Sequence, residues 1–351
     1  MRATAWIVVA ALAWAAPLGL AARASDVPPE QIVLRYASPY PSSHPFSRAD
    51  LAWITWVERE SAGRLHIDAY WGGTLMSTPE SVLELAHGVA DIATVLPIYS
   101  LAGAQAIKLQ ASFYAGADTP AMQVAVYECL RRQFPVLDRE LAGTHLLAIQ
   151  GGSLPHVLTR TRPIRGLADF SGLRLRVPNE MVPVLRAMGA DPVTMAMGDV
   201  YSALSKGSVD GVVAPADTML SLHFGEVAPL FSGLTFPRGA YPARAISNIS
   251  WNRLPADIRQ LLDRSRSVWE RALDDSVTRA AQAGYDFATS HGETMLAADP
   301  AAQRELLALY DAANRKLVAR IDNTQPYAAA MYAAAQQAIA ALRAGGAACP
   351  E

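Results

Sequence analysis

Neither a Cys-x-x-Cys pair nor a His-Glu-x-x-His run occurs in the 351-residue chain, and a Gly-x-x-x-x-Gly-Lys-Ser/Thr loop is missing too. The first two absences argue against a structural zinc site and a zinc-protease helix, and the third against a phosphate-cradling loop. Gly151-Gly152-Ser153-Leu154-Pro155 comes nearest to a nucleophile elbow but lacks the final glycine of Gly-x-Ser-x-Gly. An enzyme is therefore not expected, and the sequence calls for no cofactor and shows no metal-ligand cluster. An excess of one charge is lacking as well: 30 Lys and Arg stand against 32 Asp and Glu, a formal net charge of −2. That balance gives no reason to expect nucleic acid or an anionic membrane as partner. Cysteines are limited to Cys129 and Cys349. An oxidising compartment would allow them to bridge, but sequence does not say whether their Cα atoms reach the ~4.4–6.8 Å that a disulfide needs, and the pairing stays open.

Past the N-terminus no segment offers the ~20 uninterrupted apolar residues of a membrane span. The first residues, MRATAWIVVAALAWAAPLGLAARA, combine a basic Arg2, an apolar core from Ala5 to about Leu20 and an Ala22-Arg23-Ala24 cleavage box before Ser25. They read as a secretory signal peptide over residues 1–24, and Pro17 and Gly19 argue against an uncleaved anchor. The expectation is a mature protein in the periplasm that meets the membrane surface only transiently. At about 150 residues per domain the length suggests two lobes, and a hydrophobic share of 51% is ample for two cores.

Strand-like runs alternate with helical ones. Ile32 to Ala37, Leu65 to Tyr70 and Asp91 to Pro97 are separated by amphipathic stretches from Arg48 to Glu60 and around Pro79 to His87. The first of these helices carries Leu51, Ile54, Trp56 and Val57 near one face. A second series follows with strands at Leu146–Ile149, His156–Thr159, Leu173–Val177, Pro192–Met195 and Gly211–Ala214 and helices between. Such alternation predicts α/β lobes with largely parallel sheets. From Leu254-Pro255 to about Thr289 apolar positions recur at helical spacing, and about 35 residues at 1.5 Å each give roughly 50 Å, enough to span both lobes.

One stretch, Gly166 to Gly211, places Arg176 at the end of a short apolar strand pattern, just before a Pro178-Asn179 break. A side chain there can face a cleft. Around it LADFSGLRLRVPN, MGADPVTM, DVYSALSKGSVDG and WNRLPADIRQLL follow in order, after LELAHGVADIA and an opening LRYASPYPSSHPFSRADLAWITWVERESAGRLHIDAYWGGTL. In order and spacing these pieces resemble the extracytoplasmic solute-binding subunits of TRAP (tripartite ATP-independent periplasmic) transporters, the DctP-like family. The resemblance implies a two-lobed periplasmic-binding-protein-like fold with an interlobe cleft and a long helix along both lobes. It places lobe I at 25–154 and 241–280 and lobe II at 155–240 and 281–351. It also implies a small organic acid as ligand, with a small and a large TRAP membrane subunit as partners. A receptor for an ABC importer or a periplasmic ligand-sensing protein is the alternative, which neighbouring genes for two membrane subunits would separate.

The resemblance assigns Arg176 the salt bridge to the ligand carboxylate, a task suited to a planar, permanently charged guanidinium. Asn179 and Met197 match positions that touch the ligand in sialic-acid-binding members. Those members carry an arginine where His156 stands and an asparagine where Ala214 stands. The two departures point away from sialic acid, toward a smaller or more apolar acid. His156 remains a candidate donor, and an anion facing it would raise its pKa. From lobe I the loops bearing Tyr40, His44, Trp71 and Pro97 to Tyr99 supply aromatic walls. Ser153 and Asp217 are weaker candidates.

Overall fold

In a computed structural model of the chain, residues 31–290, 294–321 and 323–349 are described; the expected signal peptide lies outside them. The described strands are β1 (Ile32–Ala37), β2 (Leu65–Tyr70), β3 (Ile92–Thr94), β4 (Thr144–Gln150), β5 (His156–Thr159), β6 (Arg174–Arg176), β7 (Asp191–Val193), β8 (Gly211–Ala214), β9 (Leu230–Ser232), β10 (Tyr241–Ser247) and β11 (Thr294–Leu296). They form two sheets, ordered β2-β1-β3-β10-β4 and β11-β9-β5-β8-β6-β7. The sheets are mixed rather than largely parallel. β10 runs antiparallel to β3 and β4, and β5 antiparallel to β8 and β9. Each is the first strand after the chain crosses between sheets, and it enters reversed. β10 escaped the sequence reading because Pro242 and Arg244 look like breakers. The strand accommodates them with register shifts on either side of Arg244.

The helix Pro45–Glu60 starts three residues earlier than the pattern suggested, capped by the His44 side chain, which accepts the Phe46 N–H. Its buried face also differs from the expected one. Trp53, Ile54 and Val57 are buried together with Asp50, whereas Leu51 is exposed. The helix had to turn because Asp50 has partners inside. Arg244 donates to it through Nε at 2.8 Å and Nη2 at 3.3 Å, and the Tyr36 hydroxyl (2.6 Å) and Trp269 Nε1 (2.8 Å) donate as well. With every polar group satisfied, such a pair can sit at 0% side-chain exposure.

The long helix runs from Ala256 to Ser290. Its first half packs Ile258, Leu262, Trp269 and Leu273 into the core of the first sheet; Ala288 near its end belongs to a core of the second. Gly284 lets it close on the loop after β8, since a Cβ there would stand 2.1 Å from the Ala216 carbonyl oxygen. The last helix, Ala328–Arg343, corrects the division expected from sequence: Met331, Ala335 and Ile339 pack into the first core, not the second. A Cys129–Cys349 disulfide, with Cα atoms 5.3 Å apart, fastens the chain end to the helix Pro120–Gln133. Closing a loop of 220 residues restricts the unfolded chain, an effect of about 2–4 kcal/mol.

Candidate functional site

Loops leaving the carboxyl ends of strands from both sheets converge on one cleft, with about 610 Å³ of empty space when its open mouth is included. β1 leads to Tyr40, His44 and Phe46, and β3 to Ile98 and Tyr99. From the other sheet β6 delivers Arg176 and Glu180, β7 leads to Met197, and β8 to Asp217. The crossing connections add Pro155 and Arg238, and the start of β10 adds Tyr241.

Arg176 ends β6 and is only 1% exposed. Its Nε and Nη2 donate to the Met195 carbonyl at 3.1 and 2.8 Å, and Nη2 also donates to the Tyr99 hydroxyl at 3.0 Å. The guanidinium lies 5.9 Å from the Tyr99 ring centre. Among the described residues no carboxylate pairs with it, and Nη1 has no protein acceptor. A buried cation without a counter-charge at contact distance is costly, and this one lines the cleft. Glu180 shares the space: burial pushes its carboxyl pKa up, while Arg176 and Arg238 pull it down.

The wall formed by the loop after β1 is aromatic and neutral. Tyr40 stacks on His44 at 4.2 Å between ring centres and meets Phe46 edge-on at 5.3 Å. Burial, helped by Arg244, Arg238 and Arg48, lowers the His44 pKa to about 3. Because Nδ1 accepts the Phe46 N–H at 3.2 Å, the single proton of this neutral ring sits on Nε2.

Of the residues singled out from sequence, Arg176, Met197, Tyr40, His44, Tyr99 and Asp217 line the cleft. Asn179 does not; its amide donates to the Ile98 carbonyl at 2.9 Å. His156 does not either. Its Nδ1–H donates to the Ser232 carbonyl at 3.1 Å, and Nε2 accepts the Tyr285 hydroxyl at 2.6 Å, so both nitrogens are committed inside the protein. Burial lowers its pKa to about 4, opposite to the rise an anion would cause. Ala214 pairs with His156 in the sheet and is fully buried; its neighbours Val213 and Pro215 reach the cleft instead. Trp71 packs edge-on against Tyr36 at 5.7 Å. Ser153 lies away from the cleft, its hydroxyl 3.5 Å from the Val277 carbonyl. The sequence reading missed Glu180, Arg238 and Tyr241. An arginine held between Pro237 and Gly239, directly before an apolar run, was the available signal for Arg238.

Two α/β bodies, one cleft between them and a long helix along both define a two-lobed binding protein of the periplasmic type. The profile of the DctP family, bacterial extracellular solute-binding protein family 7, matches residues 37–316, and the chain belongs to this family of TRAP-type solute-binding proteins. A solute-binding protein from Roseobacter denitrificans is 34% identical over 29% of this chain and 32% of its own length. One from a Sulfitobacter species is 26% identical over 66% of this chain and 71% of its own. The matched stretch thus spans about a third of the first relative and under three quarters of the second. Among solved structures, a TRAP solute-binding protein from Rhodoferax ferrireducens T118 in complex with copurified benzoate has the same fold. Its TM-score is 0.81 at 21% identity, covering 88% of this chain and 98% of that one. Among the described residues no helix is long and apolar enough to cross a membrane.

Proposed function

We propose that this protein is the periplasmic solute-binding subunit of a TRAP-type secondary transporter. It captures a small organic acid through a carboxylate–Arg176 ion pair, without chemical turnover, and delivers it to the small and large membrane subunits. The observation that carries this reading is the buried Arg176 guanidinium, oriented by Met195 and Tyr99 and unpaired with any acid among the described residues. With Nε and Nη2 committed to Met195 and Tyr99, Nη1 is the group left to donate a charge-assisted hydrogen bond to a ligand carboxylate. The moving bodies in this reading are the one built on β2-β1-β3-β10-β4, with the last helix, and the one built on β11-β9-β5-β8-β6-β7. A ligand touching both favours their closed arrangement by its differential affinity for it.

A thermal-shift screen with carboxylic acids identifies ligands, since tight binding raises the melting temperature by mass action. Calorimetry on Arg176→Ala is then expected to show a loss of about 2–5 kcal/mol, or roughly 30-fold to several thousand-fold in affinity. Equal affinities in mutant and wild type would remove the arginine from the mechanism.

A further inference from the structure

The cleft has a second polar pole that the Arg176 reading leaves unused. Arg238 lies on the connection from β9 to β10, and its Nη2 donates to the Tyr241 hydroxyl at 3.2 Å. Gly152 makes room for the guanidinium, because a Cβ there would stand 2.3 Å from Arg238 Cζ. Tyr241 is held in turn. Its oxygen also accepts Gln150 Nε2 at 3.3 Å, and Gln150 Oε1 accepts Arg244 Nη1 at 2.8 Å from the buried Asp50 network. With two donors on its oxygen, the Tyr241 hydroxyl hydrogen is left to point elsewhere. Asp217 faces the same space, 8% exposed, with Ser221 Oγ on its Oδ2 at 3.2 Å and no ion pair at contact distance among the described residues. Burial pushes its pKa up and the charge of Arg238 pulls it down. The same cleft is lined by apolar Phe46, Ile98, Met181 and Val213 and by Glu180, whose carboxyl feels the charge of both Arg176 and Arg238.

We propose that Arg238, Tyr241 and Asp217 hold a hydroxyl group of the ligand, making the substrate class small hydroxy-substituted carboxylic acids. This rests on the carboxylate–Arg176 reading and deepens it. A hydroxyl is the group that answers both charges: its oxygen accepts from Arg238 or Tyr241, and its hydrogen goes to Asp217. A second carboxylate would meet the Asp217 anion, and a hydrocarbon end would cover Arg238 and Asp217 while adding nothing to the bonds they make to Tyr241 and Ser221, a mismatch that a site built for a hydroxyl penalises strongly.

The test is titration calorimetry of the full chain with matched pairs: benzoate against 3- and 4-hydroxybenzoate, butanoate against 4-hydroxybutanoate, and isophthalate as the dianion. In the wild type at least one hydroxy acid is expected to bind about 10- to 100-fold tighter than its parent. That ratio should fall to within about threefold in Arg238→Met and in Asp217→Ala, while Arg176→Ala weakens parent and hydroxy acid together. Arg238→Lys and a thermal melt provide the reading should Arg238→Met not fold. Parents and hydroxy acids binding the wild type equally would overturn the hydroxyl pole and leave Arg176 in place. Isophthalate binding tightest would overturn it in favour of a second anion site. No binding of any acid at millimolar concentration would overturn both readings.

Discussion

The carboxyl of Glu270, on the long helix, accepts the Ile149 N–H at 2.9 Å, and burial pushes its pKa up to about 7 from an ordinary 4.5. Between those two values the native state holds a proton that the unfolded chain has released. Its contribution to stability therefore falls as pH rises through that window and stays low above it. Glu270→Gln keeps an acceptor for Ile149 and removes the buried charge. It is expected to stabilise the protein by about 1–3 kcal/mol at pH 8 and by little at pH 4.5, as read from urea melts; an equal gain at both pH values would refute the assignment. At this scale the sequence was only partly legible. Arg176 could be picked out because a strand ending before a Pro178-Asn179 break turns its last side chain toward the loops. His156 misled because nothing local tells whether the first side chain of a strand reaches the cleft or, as here, Ser232 and Tyr285 behind it.

Helical periodicity located the long helix to within a residue or two and the helix Pro45–Glu60 to within three. What periodicity could not show was which polar positions face inward. Asp50 reads as a solvent residue, yet it joins its own helix to β1, β10 and the long helix through Tyr36, Arg244 and Trp269, all buried. That knowledge sits in partners far along the chain, as with Arg244, 194 residues away. Removing one member leaves the other charged and dry, so Asp50→Ala is expected to lose about 3–5 kcal/mol in a denaturant melt. Asp50→Leu combined with Arg244→Met should recover much of that, because no lone charge remains. A double variant as unstable as the single one would mean the network acts by shape rather than charge. The same network fixes Gln150 and, through it, Tyr241, so the core of the first sheet also sets the geometry of the cleft floor.

For the molecule as a whole, the proposed mechanism makes binding depend on how readily the two bodies close, and among the described residues two hydrogen bonds join the loops of one sheet to those of the other beside the cleft: Arg176 Nη2 to the Tyr99 hydroxyl, and Asn179 Nδ2 to the Ile98 carbonyl. The first belongs to the ligand-facing wall. The second involves a residue outside the cleft lining, so in the proposed mechanism it would act on closure and not on the ligand. A lost hydrogen bond of about 0.5–1.5 kcal/mol lowers the closed population, and apparent affinity falls by the same fraction. Asn179→Ala is accordingly expected to weaken every bound acid by one common factor, about 2- to 12-fold, carried mainly by faster dissociation. Arg238 variants should instead discriminate by functional group, between acids with and without a hydroxyl. Calorimetry and stopped-flow dissociation over the acid panel separate the two patterns. If the Asn179→Ala factor varies from acid to acid, the amide reaches the ligand itself, and closure is not its role.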